Sequence, residues 1–404
     1  MQIGIVWAAL RQHRLAAGLI VMQIALVCGV ICNAAFLLMQ RAESLHRDSG
    51  VAEDALGVVT LSGFEPAQAV DLNARVLAAL RGVAGVEVAG VINTVPFGVP
   101  AGRAGVDLDA EHKRFGGVVE FYIGDAQALS ALGPRLVAGR LPTAQEYTPV
   151  AVYVPPQAPV LLTRTLATRF WPGQNPLGQR LWSMDATFTV VGVLDRLVVT
   201  EPDGGVVDVA DGSIFVPALA GPQLAGTYVI RGQPGAMDSI MRDALAAVRR
   251  AAPEAVLDDE QSLRLTELRE RYFKRFRIMV GLLAGVITAL LGTTALGIVG
   301  LTGFWVTQRR KQIGIRRALG ATRGDILRYF QVENFLIVSA GIALGMLLAY
   351  GLSLVLMRFY ELPPLPLAYL PMGAAALWLL GQLAVLAPAL RATRLPPVAV
   401  MRMA

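Results

Sequence analysis

IMVGLLAGVITALLGTTALGIVGLTGFWV, residues 278–306, contains no Asp, Glu, Lys, Arg or His. Roughly 20 apolar residues suffice to cross about 30 Å of hydrocarbon as a helix, and a buried core helix rarely runs this long without a charge. The run therefore reads as a membrane span. Three more share its character: 15–40, 335–357 and 367–390. Between the first two runs lie residues 41–277, which read as an ordinary water-exposed domain. The layout is one span, a large extramembrane domain, then three spans: an α-helical membrane protein with four transmembrane helices (one + three). Residues 1–14, 307–334, 358–366 and 391–404 are left as the terminal segments and the two short connections.

Composition agrees, with 54% hydrophobic and only 16% charged residues. The net charge of +6 invites a nucleic-acid reading, but the basic residues cluster at the ends of the apolar runs, where they anchor membrane helices. Cys28 and Cys32, the only cysteines, both fall within the first run, so the large domain has neither a disulfide nor a thiolate metal site. About 25 apolar residues are too many for a signal-peptide core, and no small-x-small site closes the run, so it reads as a retained helix.

Four crossings put both termini on one side. That side, with the 307–334 connection, carries twelve Lys and Arg near the membrane, against eight on the other. The bias favours cytoplasmic termini and an extracytoplasmic large domain.

Within that domain, strand and helix patterns alternate. Strands are expected at 55–62, 86–95, 117–123, 150–154, 187–194, 213–216, 227–231 and 255–257. Helices are expected at 66–80, 126–132, 160–170 and 237–250. The turn-rich Trp171-Pro172-Gly173-Gln174-Asn175-Pro176 separates helix from strand. The expected fold is a large α+β domain of two subdomains, the second inserted into the first.

No catalytic constellation emerges. Lysine occurs only at 113, 274 and 311, never within a Gly-x4-Gly-Lys-Ser/Thr phosphate loop. His13, His46 and His112 lack metal-ligand spacing, and no Gly-x-Ser-x-Gly elbow is present. Asp258-Asp259-Glu260 reads as a solvated turn. The polar groups within the spans are amides and hydroxyls (Gln23, Asn33, Thr288, Thr293, Thr294, Ser339, Ser353, Gln382), which disfavours an ion-coupled carrier. Catalytic, cofactor and metal residues are accordingly expected to be none.

The sharpest local signal is TQRRKQIGIRRALGATRGDIL, residues 307–327. Ile315, Ala318, Leu319 and Thr322 fall at i, i+3, i+4, i+7, a narrow apolar stripe beside Arg316 and Arg317. Gly320 suits a helix C-terminus, and Thr322 with Asp325 forms a capping box for the next helix. A basic amphipathic helix results. It can lie on the lipid interface against anionic headgroups or dock on a protein.

RRKQIGIRRALGATRGDIL resembles the cytoplasmic signature of the MacB/FtsX-like ABC permease family. The tail APALRATRLPPVAVMRMA is similar to that family's ending. LATRFWPGQNPLGQRL with FTVVGVLD, and TYVIRGQPGAMDSIMRDALAAVRRAAPE, resemble its MacB-type periplasmic core. The resemblance spans nearly the whole chain in order. It implies a bacterial inner-membrane protein with periplasmic residues 41–277, paired with a second permease, identical or homologous. A separate ABC ATPase subunit would bind ATP and Mg and dock on Ile313, Gly314, Ile315, Arg316, Arg317, Ala318, Leu319, Gly320 and Ala321, with Gly314 and Gly320 bounding the helix. Residues 263–276 and the extension past Met39 would form a stalk. A periplasmic adaptor and an outer-membrane channel are further partners of such machines, alongside the lipid bilayer, and nucleic acid is not among them. Gln308 and Gln312 depart from the family, which usually carries acids there. Gly281 with Gly285, and Gly341 with Gly345, are small-xxx-small pairs suited to packing within the chain or across a dimer. The fuller run Gly292, Gly297, Gly300 and Gly303 marks the expected dimer contact. Two functions fit the family: export or extraction of a peptide, antibiotic, lipoprotein or lipid-linked molecule, or a non-transporting relay to a partner such as a cell-wall hydrolase. The large outer domain favours the first.

Overall fold

A computed structural model gives the fold and describes residues 14–45, 47–150, 152–202, 206–207, 209–360 and 370–393. Expected features at residues 1–13, 361–366, 367–369 and 394–404 lie outside the described residues. The chain forms two compact units, Ser44–Phe276 and a membrane unit containing the residues before and after it.

The first helix, α1 (Arg14–Leu45), leads from the membrane unit into the outer unit. There β1 (Leu56–Ser62), α2 (Ala69–Arg81) and β2 (Val86–Val91) follow. Next come β3 (Arg103–Asp107), β4 (Phe115–Gly124), α3 (Ala126–Leu132), β5 (Leu136–Gly139) and β6 (Thr148–Pro149). Then come β7 (Gln157–Thr163), α4 (Arg164–Phe170), β8 (Arg180–Ser183), β9 (Ala186–Leu194) and β10 (Ser213–Leu219). The unit closes with β11 (Thr227–Gly232), α5 (Met237–Ala251) and β12 (Val256–Leu257).

Strands β12-β1-β11-β2 form an antiparallel sheet, on which α2 buries Leu72, Val76 and Leu80. On the same core α5 buries Ile240, Ala244 and Val248, the i, i+4 spacing of one helix face. Everything from β3 to β10 is inserted between β2 and β11. Its strands run β4-β3-β8-β9-β7-β10, and β10 pairs back onto β4 to close a ring. Alternate residues fill the ring: Val119 and Phe121, Val160 and Leu162, Phe188 and Val190, Ile214 and Val216 are all buried. The insertion follows expectation, but the two sheets share one core. Helix α3 fuses them by packing so closely on β2 that a Cβ at Gly90 would lie 2.1 Å from the Ala128 nitrogen.

Two expectations need correction here. Val160–Phe170 is not one helix: Gln157–Thr163 is a strand and the helix begins at Arg164. Strand-like Val150–Val154 is replaced by the shorter β6, with residue 151 undescribed. A short apolar run fits either period, and Val160-Leu161-Leu162 is settled by burial between β9 and β10, which satisfy its backbone on both sides. The segment after β9 is tied down by buried Glu120, whose Oε2 accepts from Arg103 Nε (3.2 Å) and Thr200 Oγ1 (2.8 Å). Farther along it, burial pushes the Asp211 carboxyl up from the usual carboxylate range, while Arg196 and Arg47 draw it back.

After β12, α6 (Leu265–Gln308) runs 44 residues without a break, roughly 66 Å at 1.5 Å per residue. It is followed by α7 (Arg310–Ala318), α8 (Arg323–Tyr360) and α9 (Leu370–Thr393). Among the described residues, four helices are long and apolar enough to cross a membrane, at Ala17–Phe36, Leu265–Gln308, Arg323–Gly351 and Gly373–Arg391. Small residues bring α1 against α8: Cβ atoms at Gly341 and Gly345 would fall 2.7 Å from Ile24 and 2.5 Å from Cys28. On α9, a Cβ at Gly373 would meet Cys32 Sγ at 2.6 Å, so both thiols serve as small packing groups. Several polar groups of these helices find partners within the unit. Asn33 and the hydroxyls of Thr288, Thr293 and Thr294 donate to main-chain carbonyls one turn back, and Trp378 Nε1 donates to Ser339 Oγ at 3.0 Å.

Candidate functional site

The basic segment is stiffer than its sequence implies. A single residue, Arg309, separates α6 from α7, and the hydrogen-bond ladder crosses it: the Arg309 amide donates to Trp305 O at 2.9 Å, and the Ile313 amide to Arg309 O at 3.0 Å. The other end of α7 closes with the Ala321 amide donating to Arg316 O at 3.0 Å around Gly320 at φ +98°. That is the Schellman pattern, which needs a left-handed residue and favours glycine. Thr322 and Asp325 then form the expected capping box. The Thr322 amide donates to Asp325 Oδ2 (2.9 Å) and the Asp325 amide to Thr322 Oγ1 (3.2 Å).

The expected helix 313–321 therefore shifts. It starts at Arg310, and Gly314 lies buried inside it instead of bounding it. The apolar stripe also divides, because Thr322 caps the next helix. Ile313 faces inward at 7% exposure, whereas Ile315 and Leu319, one turn apart, are 53% and 83% exposed. Arg316 is exposed beside them, its guanidinium 5.1 Å from the Tyr329 ring centroid. Arg317 and Ala318 complete the helix. Gln312, Arg316 and Ala321 line a cavity of about 140 Å³ with Arg309, Asp325 and Tyr329.

What pins α7 to α8 is a pair that the apolar runs concealed. Glu333, 1% exposed, receives both its contacts from Arg309 Nη1, at 3.1 Å to each oxygen. The same nitrogen donates to Tyr329 Oη at 3.2 Å, and the guanidinium lies 5.6 Å from the Trp305 ring centroid. The charge-free run begins at Phe335, two residues beyond Glu333, so composition alone leaves the acid in the 307–334 connection. Its helical register does reveal it: Ile326, Phe330, Glu333 and Ile337 follow at 4, 3 and 4 residues, one buried face. With Gln at 308 and 312, the acid opposite Arg309 comes from α8.

The glycines of α6 divide by face. A Cβ at Gly297 would meet Gln23 Oε1 of α1 at 3.1 Å, so this glycine packs within the chain and leaves the expected dimer set. At 3.6 residues per turn it is rotated about 140° from Gly292, whereas Gly281, Gly285 and Gly303 return to within about 20°. Among the described residues, none lies within 4 Å of such a Cβ at Gly281, Gly285, Gly292, Gly300 or Gly303. Only 11% of the most apolar stretch of α6 is buried, against 44% for each of the other three, so its glycine face is open among the described residues.

Comparison with known proteins assigns both units. Residues 20–259 match the model of the MacB-like periplasmic core domain, and 282–397 that of the FtsX-like permease C-terminal domain. A relative from Azoarcus sp. (strain BH72), described as macrolide export ATP-binding/permease protein MacB, is 28% identical over 59% of this chain and 36% of its own length. An uncharacterized ABC transporter permease, YknZ of Bacillus subtilis (strain 168), is 23% identical over 60% of this chain and 61% of its own. The matched region thus spans about a third to three fifths of these relatives. The crystal structure of the periplasmic region of MacB from Actinobacillus actinomycetemcomitans covers 53% of this chain and 93% of its own, with 13% identity and a TM-score of 0.33.

Proposed function

Since the chain belongs to the MacB/FtsX-like family of ABC transporter permeases, we propose that it is the membrane subunit of an ATP-driven machine that exports or extracts a periplasmic or membrane-derived substrate. A separate ABC ATPase subunit, holding ATP and Mg, docks on α7 from the cytoplasm. The observation that carries this reading is the exposed Ile315 and Leu319 beside Arg316, on a helix fixed at both ends. Apolar side chains so exposed on a rigid, cationic helix fit a protein partner. Closure of the ATPase subunits displaces α7, and the one-residue joint at Arg309 delivers that displacement to α6, which continues unbroken into the outer unit. A second permease, identical or homologous, packs on Gly281, Gly285, Gly292 and Gly303. Both termini are cytoplasmic and the outer unit periplasmic, with an adaptor and outer-membrane channel as its further partners. The size of the outer unit supports export over an FtsX-like relay to a cell-wall hydrolase.

The chain purified alone is expected to hydrolyse no ATP and to gain turnover with a co-purified ATPase subunit. Reporters at Arg323 and Gln174 should read cytoplasmic and periplasmic respectively. Robust hydrolysis by the isolated chain, or a periplasmic Arg323, overturns the reading.

The glycine faces give a second expectation. Gly345→Leu should prevent folding, because its Cβ already meets Cys28 Cβ at 2.5 Å and Ala25 O at 2.7 Å. Gly292→Leu should leave the monomer folded and weaken self-association, read by cross-linking in native membranes. Unchanged dimer yield for Gly292→Leu removes α6 as the contact.

A further inference from the structure

Arg269, on the first turns of α6, joins three segments far apart in sequence. Its Nη2 donates to the main-chain carbonyls of Leu45 (2.8 Å) and Arg47 (2.7 Å), and its Nη1 donates to the Glu53 carboxylate. Leu45 ends α1, so its carbonyl is among those a helix C-terminus leaves without an internal partner, at the negative end of the helix dipole. The guanidinium also lies 5.3 Å from the Phe97 ring centroid and 5.9 Å from that of Phe273. Phe97 itself sits in the left-handed region at φ 62°, rare for an aromatic residue, with its ring 5.9 Å from Tyr272 and 6.0 Å from Phe273. A lysine cannot reproduce this arrangement, since one ammonium cannot reach two carbonyls and a carboxylate and also stack on rings.

Both neighbours of this joint lead into the domain. After Arg47, the Val198 amide donates to Ser49 O at 3.0 Å, and Gly50 approaches Arg196 so closely that a Cβ would lie 2.3 Å from its carbonyl oxygen. On the other side, Val95 and Val99, which flank Phe97, wall a cavity of about 290 Å³ with Thr60, Asp258 and Leu268.

We infer that Arg269 is the positioning residue for the displacement that α6 carries into the outer unit. It clamps the end of α1 to α6 so that both helices enter the domain as one moving part, and through Phe97 it passes their motion to the loop walling this cavity. The inference rests on the proposed function and adds to it the joint and the element the joint moves.

The test uses the full chain in nanodiscs with its ATPase subunit and a Val99→Cys probe, since Val99 is 55% exposed. Maleimide labelling is timed with and without ATP and vanadate, with the unsubstituted chain giving the Cys28 and Cys32 background. Nucleotide should change the rate several-fold. Arg269→Ala should abolish that change while leaving ATP hydrolysis largely intact, Arg269→Lys should restore part of it, and Phe97→Ala should behave as Arg269→Ala does. If Arg269→Ala does not accumulate, Phe97→Ala carries the decision. A full labelling change in these variants, or hydrolysis without any change in the parent, overturns the clamp and leaves the proposed function standing. A parent chain that captures no ATPase subunit overturns the proposed function and the clamp with it.

Discussion

Replacing Glu333 with alanine is expected to destabilise the membrane unit by about 3–5 kcal/mol, the usual cost of stranding one charge of a buried pair. Arg309 would keep only Tyr329 Oη and the Trp305 face as neighbours within this cluster, in a site where its partner is 1% exposed. The residue has few ways to relax, because it is the whole joint between α6 and α7. Arg309→Met with Glu333→Leu should recover most of the loss, since apolar groups of similar volume can replace a buried pair at little cost. The double variant separates stability from signalling. It should fold well yet couple poorly, because it no longer fixes the angle of α7. Chemical unfolding in mixed micelles measures the first property and substrate-dependent ATP turnover the second. A Glu333→Ala loss no larger than the ~0.2–1 kcal/mol of an exposed ion pair would show that the cluster is solvated.

The spans were legible because lipid imposes a composition rule that needs no knowledge of tertiary contacts. That rule also hid the most informative acid. Runs delimited by the absence of charge end at charges, and Glu333 lies two residues outside one, although its helix face places it inside. The capping box at Thr322 and Asp325 was legible because it is a local four-residue motif, as was the Gly320 stop. Residues 157–163 were not, because the choice between strand and helix is made by β9 and β10. Arg269 shows the limit most clearly. By sequence it is one of the basic residues just before the apolar run at 278–306, but its partners Leu45, Arg47 and Glu53 lie 216 to 224 residues away. Likewise, sequence identified the α6 glycines, but their division into an inward Gly297 and an open face depends on where Gln23 of α1 lies.

Changing Arg316 and Arg317 together to Glu, or Gly320 to Val, is expected to uncouple the machine while the chain still folds and inserts. Arg316 is exposed and rests on the Tyr329 ring, so the reversal leaves the α7–α8 packing on Ile313, Ile326 and Phe330 in place. Acids would then face acceptors on the ATPase subunit, and close like charges cost several kcal/mol at an interface. Gly320→Val acts through the backbone alone. Among the described residues a Cβ there meets nothing within 4 Å, but φ is +98°, where strain costs about 1–3 kcal/mol and more for a β-branched residue. Relief of that strain unwinds the Schellman turn and moves Leu319, 83% exposed just past the end of α7. A lipid-anchoring role for α7 gives a different pattern. Loss would be graded with anionic lipid content at roughly 1 kcal/mol per basic residue, and Gly320→Val would have little effect. Co-purification of the ATPase subunit and substrate-dependent turnover distinguish the two. Retention of both by both variants would make α7 an interfacial anchor and place the coupling contact elsewhere on the cytoplasmic face.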